Sequence, residues 1–161
     1  MLKPLAALLA ALTISVPVSA RVESGTTELL QTLTEYGVTI EYNPSICNGR
    51  FHGRYNTLKV MSLCYTGSPS ATDHNTVRHE AWHFIQHCAE INRGGSLITP
   101  LAQNGTKRQS WVNKVLNTNL ISKIKHSYPE HHHQIELEAF AAAEHYTSND
   151  LIKYIKTWCK K

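Results

Sequence analysis

His79, Glu80 and His83 stand in the order H-E-x-x-H inside the stretch Val77 to Ile91, Val-Arg-His-Glu-Ala-Trp-His-Phe-Ile-Gln-His-Cys-Ala-Glu-Ile. On a helix, residues four apart lie on one face. His79 and His83 can therefore turn two imidazole nitrogens towards one ion, a donor pair that suits tetrahedral zinc. Glu80 is rotated by about 100° from His79, beside such an ion rather than on it. From there its carboxylate can take a proton from water whose pKa the metal lowers to about 7. Two ligands, one base and an open coordination position are the parts of a hydrolytic zinc site. The plainer alternative is an amphipathic helix whose histidines are ordinary polar residues. A chain with ten histidines makes a chance match easier, so the surrounding elements must carry weight.

They do. Ser70-Ala71-Thr72-Asp73 has the S-x-x-D form of a capping box, with Ser70 as N-cap and Thr72 as the alternative cap. Val77, Ala81, Phe84, Ile85, Cys88 and Ile91 follow at three- and four-residue steps. Asn92-Arg93-Gly94-Gly95 closes the helix with glycine for a left-handed cap. A third ligand is expected on a later helix, in Gln134 to Ala143. Its small residues permit close helix contact, and a carboxylate buried in such a contact needs a cation. Glu136 and Glu138 are two apart and face opposite sides. Glu136 shares a face with Ala139, Phe140 and Ala143 and is favoured; Glu138 is the alternative. His87 lies a turn beyond His83, but a drift of about 40° over two turns places it behind the ligands. His131, His132 and His133 read as a solvated helix start. Tyr128 is the candidate for stabilising charge on a substrate carbonyl.

The 161 residues suffice for one domain. Lys3, the apolar run Leu5 to Ile14 and Val18-Ser19-Ala20 form a secretory signal expected to be cut after Ala20. The domain is then 21–161, secreted or periplasmic, and no later segment is apolar enough to span a bilayer. Cys47, Cys64, Cys88 and Cys159, an even number in an exported small chain, read as two disulfides. Of the three pairings, Cys47–Cys64 (closing a hairpin) and Cys88–Cys159 (tying the zinc helix to the C-terminus) are favoured. A cysteine zinc site lacks the C-x-x-C spacing. The formal charge of +4 is mild. The lysines cluster late at helical spacing, as on a solvated face, and no nucleic-acid motif is present. The expected partner is a peptide or protein substrate, and the expected state a monomer.

In chain order the pattern predicts a helix at 24–37, a strand at 38–42, two strand runs at 50–55 and 57–65, and the zinc helix. A loop follows at 92–110, then helices at 110–125, 130–146 and 150–158. The class is α+β, mostly α: a minimal zincin-like domain with a small antiparallel sheet before the H-E-x-x-H helix. A free strand edge there can pair with an extended peptide.

Together these residues resemble a gluzincin-type zinc metallopeptidase. The likeness is to small zincin domains with H-E-x-x-H-x-x-x-H followed by E-x-x-A or E-A-F-A, as in the ImmA/IrrE-like peptidases. Here the strings are His79 to His87 and Glu136-Leu137-Glu138-Ala139-Phe140-Ala141-Ala142, within roughly a third of the chain. The signal segment and cysteines depart from the cytoplasmic members of that group. Metzincins are excluded on spacing, since they need glycine and histidine where this chain has Gln86 and Ala89. The resemblance implies one Zn2+ per chain and peptide-bond hydrolysis, with Glu80 as general base. Competing classes are an exported metal-binding protein without catalysis and a disulfide-stabilised interaction domain; an amidase acting on cell-wall peptides would share the chemistry.

Overall fold

The helix that carries His79, Glu80 and His83 is the axis of the molecule. A computed structural model describes residues 25–49, 51–67 and 69–160, and the expected signal segment lies outside them. Its elements are α1 (Thr26–Glu35), β1 (Thr39–Tyr42), β2 (Gly53–Tyr55), β3 (Val60–Leu63), α2 (Ala71–Asn92), α3 (Gly105–Val115), α4 (Thr118–Ser127), a 3₁₀ turn (Glu130–His132), α5 (His133–His145) and α6 (Ser148–Trp158).

α2 starts as the sequence indicates. Ser70 Oγ accepts from the Asp73 amide at 3.3 Å and Asp73 Oδ2 accepts from the Ser70 amide at 2.7 Å. It ends just before Gly94, whose φ of +87° is the left-handed conformation glycine adopts freely. Between Val77 and Ala89 every residue is buried. Where a one-sided apolar stripe was expected, the middle of the helix is enclosed all round, with α1, β2, β3, α5 and α6 around it. Polar side chains sealed inside it must find partners, and that requirement shapes the site below.

The sheet order is β1-β3-β2. β1 pairs with β3 in parallel, Thr39 opposite Val60 and Tyr42 opposite Leu63. β2 pairs with β3 antiparallel, Gly53 opposite Leu63 and Tyr55 opposite Met61. The sheet is therefore mixed, where the sequence suggested an antiparallel one. The segment after β1 carries the chain past the central place to the far edge, so the hairpin returns β3 alongside β1 in the same direction. Cys47–Cys64 fastens that crossing segment to the end of β3.

Three helix boundaries also differ from expectation. The helix expected at 110–125 is two helices, because Leu116 turns extended (ψ 139°) to bury its side chain and Asn117 caps a new helix through the Leu120 amide at 2.9 Å. Asn104 caps α3 in the same way, so the end of the loop expected at 92–110 is helical from Gly105 on. α6 is capped by Thr147 with Asp150 and starts at Ser148, two residues before the start expected at 150.

Two hydrophobic clusters result. The larger one joins α1, the sheet, α2 and α6 through residues such as Leu33, Met61, Phe84, Ile85 and Leu151. The smaller one, Val112, Leu116, Ile124, Leu137 and Ala141, joins α3, α4 and α5. α5 serves both, with Ala139 and Ala142 in the first and Leu137 and Ala141 in the second. Cys88–Cys159 ties α2 to the residue after α6, and the two disulfides point to an oxidising environment. Among the described residues no helix is long and apolar enough to cross a membrane.

Candidate metal centre

α5 packs against α2, with the small side chains of Ala139 and Ala142 in the core cluster the two helices share. That approach brings Glu136 onto the two histidines of α2. His79 Nε2 and His83 Nε2 lie 3.0 Å apart, with Glu136 Oε2 3.2 Å from the first and Oε1 3.6 Å from the second. Among the described residues, His79, His83 and Glu136 are the group able to hold a metal ion.

The donor set fits a small divalent cation. Three ligand atoms on a tetrahedral ion, each about 2.0–2.1 Å from it, stand about 3.3 Å from one another, and the observed separations bracket that value. The protonation pattern agrees. Gln86 Nε2 donates to Glu138 Oε2 at 2.7 Å and to the Ile135 carbonyl at 3.3 Å, both acceptors. Gln86 Oε1 is thereby turned to His83 Nδ1 at 2.8 Å, which must carry the proton. His83 Nε2 is left with a lone pair aimed at a carboxylate and at another imidazole nitrogen. Such a buried arrangement calls for a cation between them. In the metal-free protein the cation is a proton: burial lowers the His83 pKa, but the hydrogen bond and charge of Glu136 outweigh it and push it up to about 9. Glu136 is raised by burial and lowered more by hydrogen bonds from His79 and His83, which hold it well below the usual carboxylate range.

The two imidazoles are held differently. His83 has Gln86 behind it, whereas His79 Nδ1 has no hydrogen-bond partner among the described residues. The His79 ring is set by packing, with Phe140 edge-on at 4.4 Å between centroids.

Glu80 is buried beside this trio and accepts a hydrogen bond from the Tyr55 backbone amide. Burial raises its pKa and outweighs the lowering by His79 and His83. β2 is an edge strand, and the alternation of its bonds to β3 leaves Gly53 and Tyr55 facing outward. The strand comes this near because residue 53 is glycine: a Cβ there would lie 2.5 Å from Thr76 Cγ2 and 3.0 Å from Glu80 Cγ.

Tyr128 lines the cleft together with Glu136, and its pKa is raised by burial first, then by the charges of Glu136 and Glu80. His133 Nε2 donates to the Tyr128 carbonyl at 2.8 Å, so one of the three consecutive histidines supports the site. His131 and His132 stay exposed at the cleft. The cleft itself measures about 870 Å³ and runs between β2, residues Leu97–Pro100, Tyr128 and Ile135, with Glu80 and the three donors on its lining.

Glu138, the alternative third ligand, is on the other face of α5. It is buried and accepts from Gln86, from the Leu101 amide at 2.7 Å and from the Ala102 amide at 2.9 Å. His87 does not stand behind a ligand: its Nδ1 meets Tyr55 Oη at 2.8 Å and it bonds the Ser96 backbone. Sequence reasoning missed Gln86, Gly53, Tyr55, Phe140 and His133 as parts of the site. Gln86 did leave a signal, being a polar residue beside an apolar stripe three positions after His83. Compared with known proteins, the chain matches no family model, no curated protein and no solved structure.

Proposed function

We propose that the protein is an exported zinc-dependent peptidase of the gluzincin type. The observation that carries this reading is a buried carboxylate, Glu80, lying beside a His-His-Glu donor set on the lining of an open cleft. His79, His83 and Glu136 would hold the ion. Zinc there supplies Lewis acidity towards a carbonyl oxygen and lowers the pKa of water.

The remaining work falls to the chain. Glu80 accepts the proton of the attacking water and delivers it to the leaving amine, and its raised pKa makes it the stronger base. Tyr128, on the cleft lining with Glu136, offers its hydroxyl to the substrate oxygen as negative charge grows there. The outward Gly53 backbone on the β2 edge aligns an extended peptide, and Phe51, Leu97, Ile98 and Ile135 favour apolar side chains in the cleft. Export rests on the signal segment at 1–20 and accords with the disulfides.

Glu80→Gln tests this reading. Zinc content is expected to stay at about one ion per chain while cleavage of a mixed peptide library falls by about 10²–10⁴-fold. A variant as active as the parent would overturn it. A metal-binding protein without catalysis is the second reading, favoured by the fact that Glu80 is already engaged by the Tyr55 amide. It requires that the parent take up zinc and cleave nothing in the library.

A further inference from the structure

A second buried carboxylate outside the donor set, Glu138, touches two things at once. Glu138 accepts three hydrogen bonds, one from the Gln86 side chain and two from consecutive backbone amides, Leu101 and Ala102. Gln86 passes the first of these on to His83 Nδ1. Leu101 and Ala102 end the segment whose residues Leu97–Pro100 wall the cleft. A carboxylate accepts only, so with the weaker Ile135 carbonyl it fixes the orientation of the Gln86 amide, and the amide in turn dictates which His83 nitrogen carries the proton. A metal-binding imidazole is regularly held through its other nitrogen, and losing that partner weakens metal binding by about 10–100-fold. In this chain the partner is shared with a cleft wall.

We propose that Glu138 is a positioning residue with two outputs: through Gln86 it presents His83 Nε2 to the metal, and through the Leu101 and Ala102 amides it sets the wall at residues 97–102. This rests on the metal reading above but not on catalysis. Gln86 is the sole side chain through which Glu138 reaches a ligand among the described contacts, so the two outputs can be cut separately. Gln86→Met keeps the volume of a fully buried side chain; it removes the links of Gln86 to His83, Glu138 and the Ile135 carbonyl but leaves the Leu101 and Ala102 amides on Glu138. Glu138→Gln places a donor against groups that themselves donate, and disturbs both links.

The test uses metal ions and the mature protein, with no substrate. Zinc dissociation constants come from competition with a chelator, and cobalt(II) substitution reports ligand geometry through its visible absorption bands. Hydrogen exchange follows the Leu101 and Ala102 amides. Gln86→Met is expected to weaken zinc by about 10–100-fold and shift the cobalt bands, with both amides still protected. Glu138→Gln is expected to weaken zinc similarly and expose at least one of the two amides. If Glu138→Gln does not fold, Gln86→Met decides the matter alone. Parent affinity and unchanged cobalt bands in Gln86→Met would overturn the relay while leaving the metal site standing. A parent that binds neither ion would overturn the metal reading and the relay with it.

Discussion

The two sides of the cleft are built to different standards. One side, made of α1, the sheet, α2 and α6, holds the larger core cluster and both disulfides. It supplies His79, His83 and Glu80. The other, α3 and α4 with the outer face of α5, has the small cluster around Ile124 and Leu137 and none of the four cysteines. It supplies Tyr128 and the backing of Glu136. Glu80, His79 and His83 therefore sit on the side with the larger core and both disulfides, while Glu136 and Tyr128 depend on a modest core. An ion bound by both sides would fasten the weaker to the stronger, adding stability as RT ln(1 + [L]/Kd).

The largest expected effect breaks that bridge. Glu136→Ala should lose more zinc affinity than the about 100-fold assigned to a supporting partner, while the metal-free protein keeps its circular dichroism. Chelator competition measures the first, and retention of tight binding would show that Glu136 is not a ligand. Next comes the contrast between cores. Leu33→Ala and Ile124→Ala should each cost about 2–5 kcal/mol in urea unfolding of the metal-free protein. Only Ile124→Ala should also weaken zinc binding, by several-fold, because it loosens the support of α5 and Tyr128. Equal zinc affinity in both variants would dissolve the distinction between the halves.

The smallest effect is the pH dependence of the metal-free protein. The His83 pKa, about 9 when folded, exceeds its unfolded value of about 6.5. Its stabilisation is complete below about 6.5 and is lost as pH rises towards 9. Glu136 works in the opposite sense: its lowered pKa stabilises above the ordinary carboxylate range and is lost on acidification. Calorimetry with a chelator should therefore show Tm falling by several degrees between pH 6.5 and 9. With excess zinc the fall should shrink or vanish, because the ion replaces the proton. A flat metal-free profile would mean that His83 and Glu136 do not share a charge-seeking pocket.

Much of the site was legible because it is local. H-E-x-x-H places two imidazoles on one face by helix geometry alone, and Ser70 with Asp73 announces where that helix begins. The four cysteines read as two disulfides but left three pairings open; the favoured one, Cys47–Cys64 with Cys88–Cys159, is the one the fold makes. The α3–α4 break was also written in the chain, in Asn117, but the apolar residues on either side of it mimic one continuous helix.

What the tertiary structure alone decided has a common physical cause: it depends on which face of an element meets which neighbour. Glu136 and Glu138 both suit a third ligand by composition, and only the approach of α5 to α2 turns one to the histidines and the other to a loop. The parallel pairing of β1 with β3 rests on a crossing of the sheet that no local pattern records. Gln86, polar and fully enclosed, earns its place only once Glu138 arrives from 52 residues away. Local spacing determined the chemistry this protein could attempt; contact between distant segments determined which atoms would attempt it.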